Sequence, residues 1–217
     1  MDLKVWDLPT RVFHWALAAA ACGLLVTAKA GEDFMPWHAR LGYGVGVLLL
    51  FRLVWGLVGG HWSRFASFPP SIARARAWLR TPQPAIGHNP LGAFSVYAML
   101  LFFALQVGSG LFSETKEDFA GPLAPLVSNA AVHWLTGYHR NVGQWVLIAL
   151  VTLHLVAIAW YAFRGENLAA AMVTGRRASG SGVTSPESRD DAKTRIAAAL
   201  VLSLCSLAMW AIVRSGG

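Results

Sequence analysis

Five apolar runs punctuate this 217-residue chain: Val12–Ala28, Leu41–Val58, Leu91–Phe112, Val142–Phe163 and Ile196–Val213. As helices rising about 1.5 Å per residue, each is long enough to cross a hydrocarbon core about 30 Å thick. Backbone in that core must satisfy its own hydrogen bonds, so only helices or a closed barrel can span it. None of the runs alternates polar with apolar residues as an outer-membrane strand does. With 55% hydrophobic and only 13% charged residues, the chain is expected to be all-α, an integral membrane helical bundle.

The net charge of +7 raises nucleic acid as a partner, but the distribution of that charge points elsewhere. With a cytoplasmic N-terminus, only Lys29, Arg40, Lys116, Arg140 and Arg214 of the 18 basic residues fall outside. The remainder lie in cytoplasmic segments, which places the N-terminus in and the C-terminus out for five spans. The excess of positive charge therefore encodes topology and attraction to anionic lipid. Cys22 and Cys205 sit mid-span and read as small buried core residues rather than as a disulfide. Ala28-Lys29-Ala30 mimics a signal-peptide end, but Asp2 and Asp7 stand in the leading segment and cleavage would discard His14, so span one is read as retained.

In chain order, a short lead with Trp6 at the interface precedes span one, which carries His14 near its cytoplasmic end. Span two opens with His38-Ala39-Arg40-Leu41-Gly42-Tyr43-Gly44-Val45-Gly46. Each glycine weakens a helix by about 1 kcal/mol relative to Ala, and room for a planar group beside His38 is a reason to keep them. Ile72–Leu79 reads as a short amphipathic surface helix, and Asn89-Pro90 as the cap and first turn of span three. Glu114, Glu117 and Asp118 cluster in the outer loop 113–138, and 174–191 reads as a flexible linker.

Span four has a histidine at each end. His139 and His154 return to within roughly 60° of each other on a helix, about 22 Å apart along its axis. Spans one and four run antiparallel, so His14 and His154 share the cytoplasmic depth, and His38 and His139 share the periplasmic one. Cofactor sites in bundles are built from such facing side chains. Two imidazoles on one iron suit an electron-transfer haem, because no position remains open for substrate. The two pairs thus predict two haems, with His14, His154, His38 and His139 as iron ligands. Arg11, Arg40, Arg52 and Arg140 stand at the haem levels as candidate propionate partners, against the plainer reading of topology or snorkelling. His61 and His88 read as solvated surface residues, while His133 is the rival of His139.

The segments Trp6-Asp7-Leu8-Pro9-Thr10-Arg11-Val12-Phe13-His14-Trp15, His38 to Tyr43, Phe51-Arg52-Leu53-Val54-Trp55-Gly56-Leu57, Gly87-His88-Asn89-Pro90-Leu91-Gly92, Gly121-Pro122-Leu123 and Glu166 to Arg176 resemble the bacterial dihaem cytochrome b561 family. This family is related to the b-type cytochrome subunits of nickel-iron hydrogenase and formate dehydrogenase. The resemblance covers about residues 5–177. It implies a four-helix core with two b haems held by one His from span one, one from span two and two from span four, which fall on His14, His38, His139 and His154. Arg140 departs from the Glu often found there, and span five is an addition to the core.

The expected organisation is a cytochrome b561-like domain over 1–177, a cytoplasmic linker over 178–191 and an additional helix over 192–217. The expected function is transmembrane electron transfer in a respiratory chain, between the quinone pool and a periplasmic c-type cytochrome or other redox protein. The family association supplies the quinone; no separate quinone motif stands in the sequence. Two other readings stay open: an oxidoreductase acting on a small substrate such as superoxide at the periplasmic haem, and a haem-bearing membrane anchor subunit of a larger redox complex. Partners are the lipid bilayer, quinone or quinol and the redox protein, with a homo-oligomer left open and no nucleic acid.

Overall fold

The computed structural model describes residues 2–83, 85–115, 119–178 and 185–216. In order these form β1 (Asp2–Lys4), α1 (Leu8–Thr27), α2 (Met35–Val58), α3 (Ile72–Arg80), α4 (Pro90–Leu111), α5 (Asn129–Gly137), a π-helical turn (Tyr138–Gly143), α6 (Gln144–Phe163), α7 (Leu168–Thr174), β2 (Arg176–Ala178) and α8 (Ala192–Arg214). Among the described residues, five helical stretches are long and apolar enough to cross a membrane. Their outer faces carry side chains more than half exposed, among them Leu101, Leu153, Leu155, Trp160 and Leu204, which only lipid can cover without penalty. The chain is an all-α, multi-pass integral membrane protein.

Polar residues hid three helix starts from the apolar-run reading. Asp7 caps α1, its Oδ1 accepting from the Thr10 amide at 2.8 Å, so the helix begins at Leu8 rather than Val12. The first turns of α2 contain His38 and Arg40, and it begins at Met35 rather than Leu41. Span four differs most. It starts at Asn129, where Ser128 Oγ accepts from the Ala131 amide, and runs unbroken to Phe163 over 35 residues. The last third of the expected outer loop is therefore helix. Asn89 caps α4 as expected, its Oδ1 accepting from Gly92 at 2.7 Å. Glu114 is in an isolated bridge with Ala120, and Glu117 and Asp118 lie outside the described residues.

The contacts divide the chain into two units. The first comprises residues 1–13, 52–99 and 150–199. Here β1 pairs antiparallel with β2, Leu3 opposite Arg177, and Val5 and Trp6 donate to the Gly175 carbonyl at 2.9 and 3.1 Å. Trp6, expected at the interface, is instead buried with Val5 and Ala171, backed by Trp62 and Ile86. Residues 185–191 run along this platform: Ser188 donates its amide to Lys4 O, and Trp62 Nε1 donates to Pro186 O, both at 2.9 Å. Asp190 pairs with Arg195 and Lys4.

The second unit comprises residues 14–51, 100–149 and 200–217. The α2 glycines serve different ends within it. A Cβ at Gly42 would meet nothing within 4 Å, whereas one at Gly46 would lie 2.2 Å from Met209 Cε. The α8 helix thus fills the space at Gly46 and leaves open the space at Gly42, one turn from His38. Cys205 is buried as expected, but Cys22 is exposed.

Candidate functional site

His38 and His139 come together in the second unit, their ring centroids 6.1 Å apart and their planes perpendicular. His38 Nδ1 lies 3.2 Å from the Leu24 carbonyl and 3.2 Å from Thr27 Oγ1. His139 Nδ1 lies 3.0 Å from the Gln106 carbonyl and 3.4 Å from Ser109 Oγ. A carbonyl oxygen can only accept, so each Nδ1 must carry the proton. The lone pair of each neutral ring is then on Nε2, the nitrogen left to bind a metal. Metal-bound histidines are usually oriented this way, through a bond from the other ring nitrogen.

The spacing fits an iron as well. Metal–nitrogen bonds of about 2 Å on either side of one ion place two imidazole centroids roughly 6 Å apart. The open space at Gly42 lies on the His38 face of α2, one turn away. Gly110 clears the other side, since a Cβ there would stand 2.9 Å from His139 Cε1. These residues fit a b haem held by two imidazoles.

Two features hold His139 in place. It sits in the π-helical turn of six residues from Tyr138 to Gly143, and such turns cluster at functional sites because they re-aim side chains. Gln106 holds it at two points: its carbonyl accepts from the ring and its Nε2 donates to the His139 carbonyl at 2.9 Å. Hydropathy and spacing do not mark Gln106 and Thr27 as supports. A Gln within the strongly apolar α4, near Gly110, was the available signal. His133 is exposed on α5. Arg140 is exposed on the same turn.

Two aromatic residues, Trp134 and Tyr138, stack at 6.2 Å. With Ser109, Phe112 and Gly108 they line an apolar cavity of about 350 Å³ beside the turn of α4 that supports His139.

His14 and His154 fall in the second and first units respectively, and their pairing rests on the sequence reading alone. His14 packs edge-on against Trp15, centroids 5.0 Å apart.

The first unit, which holds His154, gathers buried charge. Asp7 is fully buried, and besides the Thr10 amide it accepts from Gly60 N at 3.0 Å, Ser63 Oγ at 2.7 Å and Trp55 Nε1 at 3.2 Å. Arg52 is 3% exposed and stacks over Phe65 at 4.6 Å. Gly56 lets that ring approach α2, for a Cβ there would lie 2.1 Å from Phe65 Cε2. Arg11 donates to the Val173 carbonyl, tying α1 to α7. His88 departs from its reading as a solvated residue. It sits between Phe68, at 4.2 Å, and Trp6, at 4.8 Å. Burial, with Arg52 and His154 nearby, pushes its pKa down to about 3.

A family model for prokaryotic cytochrome b561 matches residues 5–175. Among the relatives is the "Probable Ni/Fe-hydrogenase B-type cytochrome subunit" of Bradyrhizobium diazoefficiens, 25% identical over 214 residues, covering 80% of this chain and 85% of its own. The protein of the same description from Cupriavidus necator is 26% identical over 213 residues, covering 80% and 86%. The hydrogenase 1 counterpart from Escherichia coli K12 is 24% identical over 226 residues, covering 85% and 94%. No solved structure matches.

Proposed function

This chain belongs to the prokaryotic cytochrome b561 family, and from that premise we propose that it relays electrons across the bacterial inner membrane through two bis-histidine b haems. Electron transfer in the membrane by haem b is the activity the family shares. The finer reading is that His38 and His139 hold one haem and His14 and His154 the other, with the N-terminus cytoplasmic and the C-terminus periplasmic. Electrons pass between the quinone pool and a periplasmic redox partner, a c-type cytochrome or the catalytic part of a larger complex. Relatives described as hydrogenase subunits favour a partner docked at the membrane.

The observation that carries the reading is the His38–His139 pair: 6.1 Å between centroids, with both Nδ1 protons committed to backbone carbonyls. When bound, the haem supplies a one-electron couple. The protein's part is to present Nε2 on both sides, to exclude water with apolar helix faces and to place cationic groups nearby. A buried cation such as Arg52 favours the reduced, less positive iron and raises the potential. Arg11 and Arg140 are assigned propionate contacts on the same reading.

The purified protein is expected to show a reduced b-type spectrum with two haems per chain. His38→Ala and His139→Ala should each remove the same haem, and His14→Ala and His154→Ala the other. Loss of different haems by the two members of one pair overturns the pairing. Reporter fusions at the C-terminus are expected to be active only on the periplasmic side.

A further inference from the structure

Two buried polar atoms of the first unit, Arg52 Nη1 and His88 Nδ1, have no hydrogen-bond partner among the described residues, and both Arg52 and His154 lie close enough to His88 to act on it as charges. The obvious counter-ion for Arg52 is Asp7, but its two carboxylate oxygens are taken by the Thr10 and Gly60 amides, Ser63 Oγ and Trp55 Nε1. Those donors are neutral, and Asp7 acts on Arg52 only as a nearby charge. A guanidinium that is 3% exposed with an unused N–H is costly unless a further acceptor completes it. His88, enclosed by Trp6 and Phe68, is in the same position at Nδ1. A neutral imidazole can donate from that nitrogen. Two unpartnered buried donors, one a permanent cation, suit an anionic oxygen pair, the planar group that a guanidinium matches best.

We propose that Arg52 and His88 form a carboxylate clamp that binds a propionate of the haem ligated by His154. Arg52 supplies the charge and His88 a neutral N–H. Phe65 holds the guanidinium plane from one side, while Phe68 and Trp6 fix the imidazole. The proposal rests on the reading of His154 as a haem ligand. In it His88 is a positioning residue, acting on the iron only through the carboxylate.

The test uses full-length apoprotein from haem-deficient cells, loaded either with haem b or with its dimethyl ester, in which both propionates are esterified. Potentials are read by spectroelectrochemical titration. With haem b, His88→Leu is expected to shift the potential of one haem downward, because the anionic carboxylate loses a donor. His88→Gln, whose amide can replace the N–H, should restore part of the shift. With the dimethyl ester, His88→Leu should leave the potential where the unsubstituted protein has it. An equal shift with both haems, or no shift with either, overturns the clamp. If His88→Leu fails to take up haem, the comparison of the two haems is made on His88→Phe, which also lacks the N–H donor, with the same criteria. A His154→Ala variant that keeps both haems overturns the ligand reading itself, whereas loss of one haem there with equal His88 shifts overturns the clamp alone.

Discussion

A ring nitrogen that donates to a backbone carbonyl is no longer available to a metal, so the Leu24 and Gln106 carbonyls choose Nε2 for His38 and His139. Because main-chain atoms make this choice, it survives most substitutions nearby and is sensitive to changes that move a ring bodily. Gly110→Ala is such a change, with its Cβ 2.9 Å from His139 Cε1. It is expected to remove one haem and leave the other, read as half the wild-type haem content per chain in the reduced-minus-oxidised spectrum. His88 gives a second residue-scale expectation. Burial, Arg52 and His154 hold its native pKa at about 3, whereas an unfolded histidine titrates near 6.5. Between those values the unfolded chain binds more protons, so this contribution to stability is complete above about pH 6.5 and falls as the pH is lowered toward 3, by at most about 1.4 kcal/mol per pH unit. Thermal midpoints of the haem-free protein measured from pH 7.5 down to 5 should fall less steeply in His88→Gln than in the wild type. Equal slopes would assign the acid sensitivity to another group.

Among the elements, the π-helical turn joins two helices that an α-helical wheel would treat as one. One residue beyond regular α-helix rotates everything N-terminal to it by about 100° relative to α6. Deleting Asn141 restores a regular turn and swings His139 away from His38. The expected result is loss of that pair's haem with the His154 haem retained; retention of both would show that the turn does not set the aim of His139. The sequence carried the spans, the cap at Asn89 and the depth match of His38 with His139, because apolar length and ligand identity are local properties. It did not carry the π turn, whose extra residue leaves no compositional mark. Nor did it reveal the partial burial of His88 or the saturation of Asp7. Both arise where residues 1–13 meet 52–99, a tertiary meeting that hydropathy does not encode. Helix α5 was missed for another reason: its His133, Thr136 and neighbouring Tyr138, His139 and Arg140 interrupt the apolar run by which a span is recognised.

For the whole molecule, the fifth span is separable from the ligand set, since all four candidate iron ligands precede α8. Yet Met209, 5% exposed, packs against Gly46 on α2, and removing it opens a void in a helix contact. A chain ended after Asp191 should keep both haems and unfold at a lower temperature. Loss of a haem on truncation would make α8 part of the binding site. The platform of the first unit has a consequence for synthesis. Strand β1 finds its partner only at Arg176–Ala178, and Lys4 accepts from Ser188. At translation rates of about 5–20 residues per second, the earliest residues wait on the order of ten seconds or more for these contacts. Asp7 can cap α1 at once, but its bonds to Trp55, Gly60 and Ser63 await the second helix and the loop beyond it. Maturation therefore closes from the last helices back onto the first residues. A ribosome stalled before Arg176 would hold a chain that already contains every candidate iron ligand but not the strand that fastens its beginning.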